Sequence, residues 1–254
     1  MRLRPLTTHA ALLEASGDDT FVRYDVPATL EHHGWAHGSA VAVPRRSHLR
    51  RLGLLVLGPP ADVEQLVGEL ADGSLLPREI GNVTVSAGAL EAVAAHLALG
   101  EGNDWEWMYA ASPPDPVQAE DRLAELTEDD EPEIRRLLAH ANPRTDARPF
   151  EYPGQTWVGV RGPGRRLVAC GVREPSLAGY PILAGITVDQ AHRGTGLGRA
   201  VTAYLTRAAV LEAGLCTLGM YSDNDVARGV YTGLGYGDIH RWSSRRLARP
   251  AGGA

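Results

Sequence analysis

Three alternate glycines with an arginine on each side are the residues of this chain best placed to do chemistry. They lie in VDQAHRGTGLGRAVTAYL, residues 188–205, between an apolar run and a helix-like run. Glycine lets the backbone come close to a ligand, and a helix N-terminus favours anions. Spacing excludes two phosphate sites. A dinucleotide G-x-G-x-x-G counted from Gly194 needs glycine where Arg199 stands, and an acid that residues 220–222 do not supply. A nucleotide-triphosphate loop needs G-K-[ST], and the chain has no lysine. What remains is R-x-x-G-x-G, Arg193-Gly194-Thr195-Gly196-Leu197-Gly198, whose backbone N–H groups at a helix start suit a pyrophosphate. Arg193 and Arg199 add positive charge.

The elements that must position this loop are legible around it. YPILAGITVD reads as a strand running into the glycines. The helix after it places Leu197, Val201, Tyr204, Leu205, Ala208 and Leu211 on one face, and Gly214 ends it. LCTLGMYS is the next strand, DNDVARGVYTGLG a helix and YGDIHRWSSRRL a last strand. The tail ARPAGGA should fray. Upstream, TEDDEPEIRRLLAHA opens a helix capped by Thr127 or an adjacent acid, with Ile134, Leu137 and Leu138 as its stripe. TWVGVRG and RRLVACGVRE are strands around the Gly-Pro-Gly turn at 162–164.

The Pro-rich, acidic stretch at 111–121 divides the chain. This gives a mixed α/β first domain at 1–111, a linker at 112–121 and a second domain at 122–247. In the first, GSAVAV, RLGLLVLG and WEWMYA read as strands. PADVEQLVGELADG is a helix on Val63, Leu66, Val67 and Leu70, and GALEAVAAHLAL is another. The turn after the strand LGLLVLG has no glycine-rich anion loop. His32, His33 and His37 lie close in EHHGWAH but lack a further ligand pattern, so they read as a solvated loop and no metal is expected.

With 254 residues the chain can bury a real core, and 44% hydrophobic with 22% charged residues suits a globular protein. The net charge of −6 argues against a general nucleic-acid binder. All 25 basic residues are arginine, so no lysine can serve as nucleophile or Schiff-base former. Cys170 and Cys216 lie in apolar runs and read as buried reduced thiols. No signal-like segment and no uninterrupted apolar run of ~18 residues is present, which points to a soluble cytoplasmic protein without a membrane partner.

Two spaced motifs together resemble the GCN5-related N-acetyltransferase (GNAT) superfamily, in its FR47-like branch, over residues 123–247. LAGITV followed by D-x-A-H-R-G-T-G-L-G-R-A is similar to that family's fourth strand and acyl-CoA pyrophosphate loop. Asn224, Ala227, Tyr231, Gly235 and Tyr236 fit its N-x-x-A-x-x-x-Y-x-x-x-G-[FY]. The resemblance implies an acyl-CoA N-acyltransferase fold: a mixed, mostly antiparallel twisted sheet flanked by helices, with the first half either a degenerate copy in tandem or a distinct N-terminal domain. It implies acetyl-CoA as acyl donor, no metal, and direct attack by an amine of a small molecule or peptide. Its cofactor residues here would be Ile186, Thr187, Val188, the loop Arg193, Gly194, Thr195, Gly196, Leu197, Gly198 and Arg199, and Asn224, Ala227 and Tyr231. Backbone at Ile186 and Val188 would hold the pantetheine arm as an added strand. Asn224, Ala227, Arg228 and Tyr231 share a helix face by spacing, and Tyr231 would protonate the leaving thiolate. The fourth strand lacks the glutamate that many relatives use as base. Glu174, Glu151, His140 and Asp223 are alternatives among which the sequence does not choose. A catalytically silent acyl-CoA sensor or scaffold is the alternative function. Acceptor and oligomeric state are left open.

Overall fold

The computed structural model describes residues 3–47 and 50–248, so all but the first residue of the tail at 248–254 lies outside the described residues. Two compact units divide the chain. One is Met1–Trp107 with Tyr221–Asp223 and His240–Ala254, and the other is Met108–Met220 with Asn224–Ile239. In chain order the elements begin with β1 (Arg4–Leu6), α1 (His9–Ala15), α2 (Thr20–Asp25), β2 (Gly34–His37) and β3 (Ala40–Arg46). Then come β4 (Leu52–Leu57), α3 (Pro60–Asp72), β5 (Asn82–Ser86), α4 (Leu90–Ala94) and β6 (Leu99–Ala110). The rest are β7 (Leu123–Leu126), α5 (Glu131–Ala141), β8 (Thr156–Arg161), β9 (Leu167–Pro175), β10 (Pro181–Val188), α6 (Leu197–Ala213), β11 (Cys216–Tyr221), α7 (Asp225–Thr232) and β12 (Gly237–Leu247).

The first unit's sheet runs β1-β2-β3-β4-β5-β12-β6. Neighbours from β1 to β4 are antiparallel, and β4 and β5 are parallel across the crossover α3. Residues 240–247 of β12, which a linear division assigns to the second half, belong to this sheet; Trp242 to Arg246 pair antiparallel with β5. Val63, Leu66, Val67 and Leu70 of α3 are fully buried on it, each contributing about 1.5–3 kcal/mol relative to exposure. β1, α1, α2, β2 and β5 escape the sequence reading because each is short, and α4 covers only part of GALEAVAAHLAL.

The second unit's sheet runs β11-β10-β9-β8-β7, antiparallel except for the parallel pair β10–β11 across α6. Both units therefore repeat one order: antiparallel strands, then a strand, a crossover helix and a parallel strand. No sequence repeat announces it. The sheet has α5 on one face, through Ile134, Leu137, Leu138 and Trp157, and α6 on the other. Thr127 and Asp130 form a capping box ahead of α5.

One helix face needs correction. Tyr204 is 41% and Leu211 74% exposed, so neither belongs to the core stripe of α6. The buried arc instead takes in Ala200, Thr202, Ala203, Thr206, Ala209 and Val210. Threonine is tolerated there because its hydroxyl finds a partner: Thr202 Oγ1 donates to Gly198 O at 2.8 Å, and Thr206 Oγ1 pairs with Tyr236 Oη at 2.8 Å. The proline-rich stretch before β7 is pinned to α6. Arg207 donates to Pro114 O and Glu120 Oε1, both at 3.2 Å, and to Glu120 Oε2, while Val117 packs on the core.

Close packing beneath α6 gives one measurable consequence. A Cβ on Gly171 would stand 2.5 Å from Ile186 Cδ1 and 2.7 Å from Val201 Cγ1. Gly171→Val should destabilise the fold by about 1–3 kcal/mol in denaturant titration; an unchanged midpoint would show that this layer is loose.

Candidate functional site

The strand that leads to the glycine loop carries an irregularity. β10 pairs with β9 from Pro181↔Pro175 to Ala184↔Val172, then the register shifts and resumes at Thr187↔Cys170. The extra residue is accommodated at Gly185, whose φ of +62° is one L side chains rarely adopt. Ala184 packs on the α5 side. A Cβ on Gly185 would meet Ala147 Cβ at 2.9 Å and the Trp157 ring at 3.2 Å on that same side. Ile186 then turns to the α6 side, over Gly171 and Val201. The bulge thus reverses the facing of everything downstream.

On its other edge β10 pairs with β11 only at Ile182↔Thr217 and Leu183↔Leu218. Both strands continue, to Val188 and Tyr221, with no further β10–β11 register among the described residues. In the first unit the equivalent seam is closed: β4 and β5 pair over four registers from Gly53↔Asn82 to Val56↔Val85. Asp189 N–H donates to Val168 O on β9 at 2.8 Å. Alternation along an extended chain therefore turns the Val188 N–H toward the open edge.

The loop joins this edge to α6. Gly194 and Gly196 have φ of +76° and +82°, and a Cβ on either would meet nothing within 4 Å. Gly196 is the N-cap of α6 with no side-chain cap, and Ala200 N–H makes the first intrahelical bond, to Gly196 O at 3.0 Å. The preceding N–H groups of α6 are the unsatisfied donors of every helix start, at the positive end of the dipole. The first unit lacks this device: Pro59 and Pro60 open α3 and carry no N–H.

Both loop arginines are committed to backbone carbonyls. Arg193 Nη2 donates to Ala141 O, at the end of α5, at 2.8 Å, and its Nε to Val188 O at 3.3 Å. Arg199 Nη2 donates to Gly233 O, past the end of α7, at 3.0 Å. Cations at helix C-termini are stabilising, so these residues brace the loop while leaving their charge beside it. Thr195 Oγ1 donates to His192 O at 2.6 Å. Thr187 faces away from the open edge, its Oγ1 accepting from Asn142 Nδ2 at 3.2 Å on the α5 side.

Asn224 caps α7, its Oδ1 accepting the Ala227 N–H at 3.1 Å. Tyr231 is 8% exposed in an apolar cluster that also holds Leu197, with Ile186, Val188 and Ala227 packed against it. Tyr231 thus belongs to the cluster on which Ile186, Val188 and Ala227 pack. Burial alone pushes the Tyr231 phenol up to about 12. Tyr236, its ring 6.0 Å from that of Tyr231, is also raised by burial. Cys170 and Cys216 are free, buried thiols.

The four alternative bases are dispersed. His140 and Glu151 are exposed at and after the end of α5, and Asp223 is exposed and groups with the first unit. Glu174, on β9, is 2% exposed and accepts from Gln155 Nε2. In the first unit, His37 Nδ1 lies 3.1 Å from Glu69 Oε1. No group of three or more His, Cys, Asp or Glu among the described residues is placed to hold a metal ion. Sequence reasoning missed the bulge and the Gln155–Glu174 contact. A glycine inside the run LAGITV was the available signal for the first.

Residues 161–247 match the family model for FR47-like protein. A GCN5-related N-acetyltransferase from Kribbella flavida is 18% identical, with 96% of this chain and 95% of that one covered at a TM-score of 0.53. Another from Sphaerobacter thermophilus is 15% identical, covering 98% and 96% at 0.55. A GNAT-family acetyltransferase from Colwellia psychrerythraea is 13% identical, covering 98% and 100% at 0.51. No curated protein matches significantly. At these identities the solved structures speak for the fold: the chain has the GNAT architecture along almost its whole length, with an FR47-like domain at 161–247. Among the described residues no helix is long and apolar enough to cross a membrane.

Proposed function

We propose that the second unit binds acetyl-CoA and transfers its acetyl group to an amine by direct attack. The observation that carries this reading is the seam between β10 and β11, which stops pairing at Leu183↔Leu218 and ends beside an uncapped helix start. A flexible diamide arm with a pyrophosphate at one end has the matching chemistry. Its amides can add to the open strand edge, and its phosphates can take the N–H groups of Gly196, Leu197 and Gly198. Arg193 and Arg199 favour the same anion at short range without contacting it. Asn224 keeps its amide nitrogen for the arm, since only its oxygen is used for capping.

Acyl transfer needs a neutral amine, a donor for the carbonyl oxygen, and a proton for the leaving sulfur. Backbone N–H at the bulged edge supplies the donor. Tyr231 supplies the proton, and its burial keeps that proton in place. Below about 12 the phenol stays protonated, so kcat should show no alkaline loss from this group near the ordinary phenol value of about 10. An alkaline limb near that value that disappears in Tyr231→Phe would contradict this environment.

The direct test is CoA release from acetyl-CoA across a panel of amines, alongside calorimetric binding of acetyl-CoA. Binding with no release on any amine would favour the sensor reading instead.

A further inference from the structure

One dipeptide decides where α5 ends. Pro143 disfavours the helical backbone for the residue before it, and Asn142, the C-cap of α5, leaves the helix at φ −148° and ψ 62°. The chain beyond folds back on itself: Thr145 N–H donates to Asn142 O at 3.1 Å, and Ala147 N–H to Thr145 Oγ1 at 3.3 Å. Ala141 and Ala147, at the two ends of this short segment, are both buried in the cluster around Trp157.

The segment touches the run from β10 to α6 at three successive places. Ala147 lies against the bulge, where a Cβ on Gly185 would stand 2.9 Å from its own Cβ. Asn142 Nδ2 donates to Thr187 Oγ1 at 3.2 Å, two residues further along. Ala141 O accepts from Arg193 Nη2 at 2.8 Å, at the start of the glycine loop. Thr187 is 3% exposed and stands between Ile186 and Val188, whose backbone lies along the open edge.

That edge needs a tether. β10 pairs with β11 only as far as Leu183, so past the bulge its register is held from the β9 side, at Thr187↔Cys170 and Val188↔Ala169. Plain alternation from Ala184, which packs on the α5 side, would turn Thr187 toward α6. The bulge turns it to α5 instead, within reach of Asn142.

We propose that the end of α5 positions the two halves of the cofactor site separately. Asn142, through Thr187, is the positioning residue for the edge that takes the pantetheine arm. Ala141, through Arg193, holds the loop that takes the pyrophosphate. The inference rests on the acyl-CoA reading above. Asn142 acts without touching the ligand, by keeping the Ile186 and Val188 backbone groups in place before the arm arrives, which spares binding the cost of ordering them.

Calorimetry with two ligands tests this division: acetyl-CoA, and ADP, which carries a diphosphate but no arm. Asn142→Ala and Thr187→Val break the same hydrogen bond from opposite ends. Each should raise the acetyl-CoA Kd about tenfold while the ADP Kd stays within about twofold. Thr187→Ser keeps the hydroxyl and should recover most of the acetyl-CoA affinity. Arg193→Met should weaken both ligands. A general loosening of the fold would move both ligands together in every variant. Equal shifts on the two ligands in Asn142→Ala and Thr187→Val, or no shift on either, overturn the assignment. So does a Thr187→Ser protein that binds acetyl-CoA no better than Thr187→Val, or an Arg193→Met loss confined to acetyl-CoA. If the unaltered protein binds no acetyl-CoA, the acyl-CoA reading fails and this inference with it. Binding without the arm-specific loss sinks the positioning role alone.

Discussion

Tyr231→Phe should lower kcat by roughly 10²–10³-fold while acetyl-CoA affinity stays within about twofold, the range expected when a positioned acid is lost. The ring fills a site in the cluster with Leu197 that phenylalanine also fills, so folding should be nearly unaffected. Burial alone raises the phenol, so removing the hydroxyl strands no hydrogen-bond partner. Stopped-flow CoA release and calorimetry separate the two quantities. If turnover stays within about threefold, Tyr231 is a packing residue and the leaving thiolate is protonated by solvent.

Gly196→Val carries the second large effect. At φ +82° a β-branched residue costs about 1–2 kcal/mol, which corresponds to roughly 2–8 °C in Tm for a chain of this size. The free protein has nothing within 4 Å of the new Cβ, so no steric clash adds to that. A pyrophosphate seated on the α6 start would occupy this same space. Acetyl-CoA Kd should therefore rise by at least about tenfold, more than the fold itself suffers. An unchanged Kd in a folded variant would place the phosphates elsewhere.

What the sequence made legible was local. The glycine loop announces itself because three small residues must coincide with a strand end and a helix start. Asn224 and Tyr231 are legible because a cap and one helix face are fixed by spacing alone. The stripe of α3 follows from periodicity, and all four of its named residues are buried. What stayed hidden depends on partners distant in the chain. The opening between β10 and β11 is a matter of register, which no run of residues displays. Arg193 and Arg199 look like ligand cations until Ala141 and Gly233 arrive to take their donors. Tyr204 fits the apolar stripe of α6 by spacing, but threonines with paired hydroxyls hold the core-facing arc. Glu174 looks like any charged residue near a hairpin until Gln155 reaches it across nineteen positions.

The placement of β12 between β5 and β6 sets a timetable for synthesis. β5 ends at Ser86, and the strand that covers its edge begins with residue 240. At about 5–20 residues per second the ribosome needs on the order of ten to thirty seconds to make the intervening chain. Throughout that interval β5 presents Val83 and Val85 in a strand whose hydrogen-bonding edge has no partner, a template for pairing with any other nascent chain. The first half of the polypeptide thus leaves the ribosome early and matures late. Its demand on chaperones is written into the position of one strand, and slowing translation would lengthen it.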